Sequence, residues 1–139
     1  MQKIVVDTNI LVSALVQRGY PYYIVTALFS NNDIELCISD ELLQEYYDVL
    51  KRKRFSKYPD FVAKSQALLA DIQKIAVKYS PSVKLNIISD IDDNKLLELA
   101  ETCNANFIIT GNTNDFTIKN YKNTKIVTPK EFWEIYLLQ

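Results

Sequence analysis

The side chains that could do chemistry in this 139-residue sequence are mainly carboxylates, because the sequence contains no histidine and only two cysteines and two glycines. Without histidine, Ser-His-Asp and Cys-His catalysis and imidazole zinc sites are excluded, and two cysteines cannot form a four-thiolate zinc site. Two glycines are too few for a Walker-type or GxGxxG phosphate-binding loop. If the protein is an enzyme, its active site is expected to be a group of carboxylates around a hard metal ion.

Asp7 is the first candidate for such a site, because it directly follows the apolar run Ile4-Val5-Val6. A continuous β-branched run is typical of a buried parallel strand. Ligands of open parallel sheets bind at the carboxyl ends of the strands, which is where Asp7 would lie. Aspartate is also a good helix N-cap, which stabilises a helix by about 1 kcal/mol, so a purely structural role stays open at this stage.

Two more acids lie at the edges of predicted helix faces. Glu45 is only ~40° outside the arc covered by the apolar residues of its helix. Asp93 precedes Leu96, Leu97 and Ala100 by three, four and seven residues and therefore extends an apolar face, where a carboxylate without a partner is costly. The alternative interpretations are a solvated boundary position for Glu45 and a buried cap for Asp93.

The strand predicted for Phe107-Ile108-Ile109 is followed by the polar segment Thr110–Asp115. Thr110 lies at a strand end, and Asn112 and Asp115 are the further polar candidates, although an Asx-rich turn would explain them equally well. Two unpaired carboxylates ~4 Å apart repel each other by about 4 kcal/mol at an effective dielectric near 20. Convergence of Asp7 with the two helix acids therefore needs a divalent cation or bound protons, and oxygen ligands favour Mg²⁺ or Mn²⁺.

The elements that must position these residues alternate between strand and helix. Strands are predicted over 3–7, 34–38, 77–79, 106–110 and 125–128, and helices over 10–17, 22–30, 40–53, 60–75, 92–103 and 130–138. This pattern predicts a single domain over residues 1–139, of the α/β class, with a central, mostly parallel sheet of four to five strands. We expect no signal peptide, no membrane span, reduced cysteines and a cytoplasmic location.

Four segments, in chain order, resemble the motifs of the PIN domain family. They are Val5–Leu15, Ser39–Leu50, Asp90–Ala100 and Ile109–Asn112. The resemblance spans essentially the whole chain and is closest to the bacterial and archaeal group of toxins from toxin–antitoxin pairs. It implies a three-layer α/β/α fold and an endoribonuclease that depends on Mg²⁺ or Mn²⁺ and hydrolyses RNA with an activated water.

The resemblance also implies roles for individual residues. Asp7, Glu45 and Asp93 match the three acidic metal-site residues of the family, and Asn9 and Thr110 match the polar residues that support that site. Asn112 stands where many members have a fourth acid, and Asp115 is the other candidate metal ligand nearby. The amide at position 112 favours an alternative: a catalytically weak or inactive domain that binds RNA or a protein.

RNA binding also needs a basic surface, and this sequence contains one dense basic run. It comprises Lys51, Arg52, Lys53, Arg54 and Lys57, interleaved with Phe55 and Tyr58. A solvated helix C-terminus would also favour these cations, and the net charge of −1 argues against nonspecific binding by the whole surface.

The resemblance further implies two protein partners, an antitoxin and a second copy of the chain. Apolar side chains of the early helices could serve a homodimer, but a role in the core is the favoured interpretation for most of them. These are Tyr20, Tyr22, Tyr23 and Phe29.

Overall fold

A computed structural model describes residues 1–88, 91–111, 116 and 118–139, without the side chains of Lys53, Ile91 and Asp92. In this part of the chain a six-stranded sheet has the order β3-β2-β1-β4-β6-β5. The strands are β1 (Gln2–Val6), β2 (Ile34–Ile38), β3 (Val77–Lys78), β4 (Phe107–Ile109), β5 (Asn120–Tyr121) and β6 (Thr124–Val127). Every neighbouring pair is parallel except β5 and β6, which confirms the predicted α/β sheet and adds β5 to it.

Helices cover both sides of the sheet. They are α1 (Thr8–Val16), α2 (Tyr20–Ser30), α3 (Asp40–Leu50), α4 (Phe61–Ile75), α5 (Ile91–Cys103) and α6 (Pro129–Leu137). Helix α5 packs against β1, β2 and β4, whereas α6 packs against β4 and β6, so the predicted layered α/β/α arrangement is confirmed. Among the described residues, no helix combines the length and apolar character that crossing a membrane requires.

Strand β1 lies between β2 and β4 in the centre of the sheet. Its last three residues are apolar, as burial on both faces of the sheet requires. Ile4, Val5 and Val6 have no exposed surface. Ile4 pairs in parallel with Leu36 of β2 on one side and with Phe107 of β4 on the other. The carboxyl ends of these three strands therefore lie along one edge of the sheet. Both cysteines are buried in the core with free thiols.

The helix boundaries follow local capping chemistry. The Ser39 hydroxyl accepts a 3.1 Å hydrogen bond from the Leu42 amide at the start of α3. Helix α2 begins at Tyr20, two residues earlier than predicted, because Pro21 fits the first helical turn, where its missing N–H costs nothing. Helix α3 ends at Leu50, and a 3₁₀ turn over Lys53–Phe55 follows, so the predicted helix end at Lys53 was wrong. In a continued helix Lys51 and Arg54, three residues apart, would lie on one face and repel each other.

Aromatic side chains of α2 lie on the surface rather than in the core. Tyr20, Tyr23 and Phe29 are 39%, 43% and 39% exposed, so the predicted core role is wrong for these three residues. Tyr23 packs against Trp133 of α6 with ring centroids 5.8 Å apart. The apolar face of α2 that does enter the core is formed by Ile24, Val25, Ala27 and Leu28 instead.

Candidate metal centre

Two buried polar side chains meet at the carboxyl edge of the sheet. Asp7 follows β1, and Thr110 follows β4. The Thr110 hydroxyl donates a 2.8 Å hydrogen bond to Asp7 Oδ2. Asp7 also precedes α1 as its N-cap residue, but its side chain makes no capping hydrogen bond. The bond from Thr110 of the neighbouring strand end shows that helix capping alone does not account for the position of this carboxylate.

The Asp7 carboxyl titrates abnormally. Burial raises its pKa above the ordinary value of 3.8, and the negative charge of Glu45 raises it further. The Thr110 hydroxyl and the nearby N–H groups of Thr8 and Asn9 lower the pKa, but they do not offset the burial. Asp7 and Glu45 are thus close enough to repel each other, and a cation between them would relieve that repulsion.

Glu45 is held at both of its carboxylate oxygens. The Thr8 hydroxyl donates a hydrogen bond to Oε2. The Lys95 Nζ atom, on α5, lies 2.7 Å from Oε1. The side chains of Glu45 and Lys95 are 24% and 19% exposed, so Glu45 lies at the boundary of the core and is ion-paired there. Glu45 instead links α1, α3 and α5 beside Asp7.

Tyr46 fixes the position of α3 relative to β1. Its side chain is fully buried, and its hydroxyl donates a 2.5 Å hydrogen bond to the Val6 carbonyl oxygen, one residue before Asp7. Burial raises the pKa of this phenol well above its usual value, and the charges of Asp7 and Glu45 add to the shift. Nothing in the sequence pattern of this helix predicts the bond from Tyr46 to the strand end.

The start of α5 is fixed by the residue that follows Asp93. Asp93 is buried. Asn94 Oδ1 accepts hydrogen bonds from the amides of Ile87 (3.1 Å) and Ile88 (2.9 Å), and Asn94 Nδ2 donates to the Ile88 carbonyl oxygen (2.6 Å). One turn later, Glu98 accepts a 2.9 Å hydrogen bond from the Leu85 amide. Asn94 and Glu98 together hold residues 85–88 against α5.

The remaining predicted ligands are only partly described. Asn112 and Asp115 lie outside the described residues, and Asn9 is exposed at the start of α1. Over the described ranges, no three or more histidine, cysteine, aspartate and glutamate side chains form a group that could hold a metal ion. The convergence of Asp7, Glu45 and Asp93 on one cation therefore stays a prediction, and the negative charge of Glu45 is the one that raises the pKa of Asp7.

The basic run follows α3 on the surface. Lys51, Arg52, Arg54 and Lys57 are exposed, and the Lys53 side chain is not described. Aromatic rings accompany three of these cations, because Lys51 lies over Tyr47, Arg54 over Phe55 and Lys57 over Tyr58, with the charged group 4.8–5.4 Å from the ring centroid. Interleaved cations and rings are compatible with single-stranded nucleic acid.

An open cleft of about 650 Å³ connects the basic run to the Glu45–Lys95 pair. Arg52 lines this cleft together with Glu45 and Lys95. The face of α3 contributes the further carboxylates Asp40, Glu41 and Asp48. A phosphodiester entering the cleft would be repelled by these acids, so cations in the lining are needed to offset that repulsion.

The hydrogen bond from Thr110 can be tested with a valine at this position. Thr110→Val keeps the shape of the side chain but removes the donor that lowers the Asp7 pKa most, so that pKa should rise further. Since the ionised carboxylate is the form that binds a cation, binding of Mg²⁺ should then require a higher pH.

An NMR titration of the Asp7 carboxyl carbon measures this shift. Thr124→Val is the matched control, because the Thr124 hydroxyl is also buried and donates to the Ala105 carbonyl oxygen (2.6 Å) at the opposite end of the sheet. An Asp7 titration that is the same in both variants would contradict the role of Thr110.

Comparisons with known proteins agree with this architecture. A family model for the PIN domain matches residues 3–114. An uncharacterized protein of Methanocaldococcus jannaschii is 28% identical over an alignment of 141 positions, which covers 95% of this chain and 90% of the relative. The crystal structure of VapBC2 from Rickettsia felis, bound to a DNA fragment from its promoter, is similar with a TM-score of 0.59 and 21% identity, over 91% of this chain and 98% of the matched chain.

The chain therefore belongs to the PIN domain family, since the family model covers more than half of it. PIN domains are in general nucleases, and divalent metals are their usual cofactors. The likeness to VapBC2 shows that the fold is shared.

Proposed function

We propose that this chain is a Mg²⁺- or Mn²⁺-dependent endoribonuclease and the toxin of a toxin–antitoxin pair. The observation that carries the proposal is the buried Asp7 carboxyl, which Thr110 holds at the carboxyl ends of the parallel strands, in a member of a nuclease family. Ligands of parallel sheets bind at this edge.

The donor set fits a hard divalent cation, because Asp7 and Glu45 offer only oxygen and the negative charge of Glu45 raises the pKa of Asp7. We assign Asp7, Glu45 and Asp93 as the acidic ligands, with Asn112 and Asp115 as additional ones. When bound, the metal would supply Lewis-acid stabilisation of a phosphoryl oxygen and an attacking water of lowered pKa.

The residues around the acids position them. Thr110 orients Asp7 through the bond to Oδ2, Thr8 orients Glu45 through the bond to Oε2, and Tyr46 holds the helix that carries Glu45 against the end of β1. Asn9 is the exposed polar residue beside Asp7 and supports the same site. Lys51, Arg52, Lys53, Arg54 and Lys57 provide the surface on which RNA phosphates would lie.

Two protein partners belong to this proposal. An antitoxin would cover the acidic site. The shared fold with VapBC2 and the toxin-like order of the motifs support this partner. A homodimer would use the exposed aromatic side chains of α2.

A second candidate function is an RNA- or protein-binding domain without catalysis. Asn112 favours it, and so does the lack of a ready three-acid group among the described residues. Calorimetric titration with Mg²⁺ discriminates between the two functions, because no binding at millimolar concentrations would favour the non-catalytic domain.

RNA cleavage by the purified chain tests the nuclease directly. We expect an RNA oligonucleotide to be cut internally when Mg²⁺ or Mn²⁺ is present, to stay intact in EDTA, and to stay intact with Asp93→Asn. Asp71→Asn is the matched control, because Asp71 is exposed on α4 and its replacement should leave cleavage unchanged. Cleavage that persists in EDTA or with Asp93→Asn would contradict the proposal.

A further inference from the structure

Lys95 differs from the other ion-paired lysines of the described chain in its burial. Its side chain is 19% exposed, whereas the lysines that pair with Asp40, Glu41 and Glu134 are 55%, 80% and 65% exposed. Removing an ammonium group from water is costly, and an ion pair often returns no more than that cost. A partly buried lysine in an acidic cleft therefore points to a role beyond stability.

The position of Lys95 is fixed by its neighbours in the fold. The preceding residue, Asn94, makes three hydrogen bonds to residues 87 and 88, so the start of α5 is held rigidly. At the other end of the side chain, Glu45 holds the ammonium group at 2.7 Å. Lys95 is thus a preorganised positive charge within the cleft that Arg52 also lines.

We propose that Lys95 contacts a non-bridging phosphate oxygen of the RNA backbone, with Glu45 as the residue that positions its ammonium group. This inference rests on the proposed nuclease function and names the residue that receives the substrate. An ammonium group carries three N–H donors, so a bond to Glu45 is compatible with a bond to phosphate. Its compact charge offsets the repulsion between the phosphodiester and the carboxylates of α3.

RNA binding without metal tests this contact separately from catalysis. Fluorescence anisotropy with a labelled single-stranded RNA in EDTA, over a series of salt concentrations, should show that Lys95→Gln binds roughly 10-fold more weakly. The slope of log Kobs against log salt should become less steep by about 0.7, the value for one phosphate contact on a single strand. Lys95→Arg, which keeps the charge, should retain most of the wild-type slope.

Two comparisons separate phosphate contact from simple neutralisation of Glu45. Glu45→Gln with Lys95→Gln removes both charges of the 2.7 Å ion pair, so neither is left facing a neutral partner, and this double variant should fold even if Lys95→Gln alone does not. If Lys95 contacts phosphate, the double variant should still have the shallower slope relative to Glu45→Gln alone. Lys84→Gln is the matched control, because Lys84 is 80% exposed and pairs with Glu41, and its slope should equal that of the wild type.

The results distinguish failure of the Lys95 phosphate contact from failure of the proposed nuclease function. A wild-type chain that binds and cuts RNA, together with equal slopes for Glu45→Gln and the double variant, would overturn the role of Lys95 and leave the nuclease standing. A wild-type chain that neither binds nor cuts RNA would overturn both.

Discussion

Asp7→Asn is expected to reduce metal-dependent RNA cleavage by roughly 10²–10⁴-fold, because several kcal/mol of metal-supplied transition-state stabilisation would be lost. The same substitution should stabilise the metal-free protein. Asparagine can still accept the hydrogen bond from Thr110, and it removes a buried charge that is repelled by Glu45. Loss of function with gain of stability is the signature of a residue kept for its chemistry.

The pH dependence of stability follows from the direction of the Asp7 pKa. The pKa is raised in the folded protein relative to the ordinary value of 3.8, so above that value the folded state binds more protons than the unfolded state. The contribution of Asp7 to the free energy of unfolding therefore decreases as the pH rises through the raised pKa, and it stays lower at neutral pH. Asp7→Asn lacks this contribution, so its stability advantage should grow as the pH rises from the ordinary value of 3.8 and should level off above the raised pKa.

Thermal unfolding in EDTA across that pH range measures the difference. We expect the Asp7→Asn midpoint to exceed that of the wild type by a few degrees at neutral pH, and Mg²⁺ to raise the midpoint of the wild type but not that of Asp7→Asn. Asp71→Asn, at an exposed position, should behave like the wild type, with an unchanged midpoint in EDTA and the same rise with Mg²⁺. A metal-free Asp7→Asn variant that is less stable than the wild type at neutral pH would show that Asp7 is a structural residue.

Asn94→Ala should be the most destabilising single polar substitution near the site, by about 2–4 kcal/mol. The side chain is 2% exposed and makes three hydrogen bonds, and its loss leaves the buried Ile88 amide without this partner. Because Asn94 lies between Asp93 and Lys95, cleavage should also fall in the fraction of protein that remains folded.

Urea unfolding measures the loss as a lower midpoint at an unchanged slope. Asn86→Ala is the matched control, since Asn86 is exposed in the same segment that Asn94 holds. A decrease in the free energy of unfolding below about 0.5 kcal/mol for Asn94→Ala would contradict this role. It would mean that water replaces the hydrogen bonds of Asn94 and that residues 85–88 do not depend on them.

The features that could be predicted from the sequence are those encoded locally. The run Ile4-Val5-Val6 predicts a buried strand, which the fold confirms, and Asp7 lies at its carboxyl end as predicted. Pro129 marks the start of the last helix, where Thr128 and Glu131 form the capping box. Strand β5 escaped prediction because its two residues, Asn120 and Tyr121, carry no periodic pattern.

The partnerships within the candidate site could not be predicted in the same way. Helical geometry placed Glu45 beside the apolar face of α3, but its partners come from α1 and α5, and only the topology brings them together. The role of Asn94 was not predicted, because residues 87 and 88, which it binds, have no regular structure that a sequence pattern would reveal.

The two edges of the sheet have a consequence for self-association. Strands β3 and β5, which form these edges, contain two residues each. Such short edge strands expose few unpaired main-chain N–H and C=O groups, and Lys78 adds a charge at β3. A strand from another molecule can therefore form few hydrogen bonds with these edges. A dimer of this protein should therefore be built through helices, and its solutions should resist fibril growth by edge-to-edge extension.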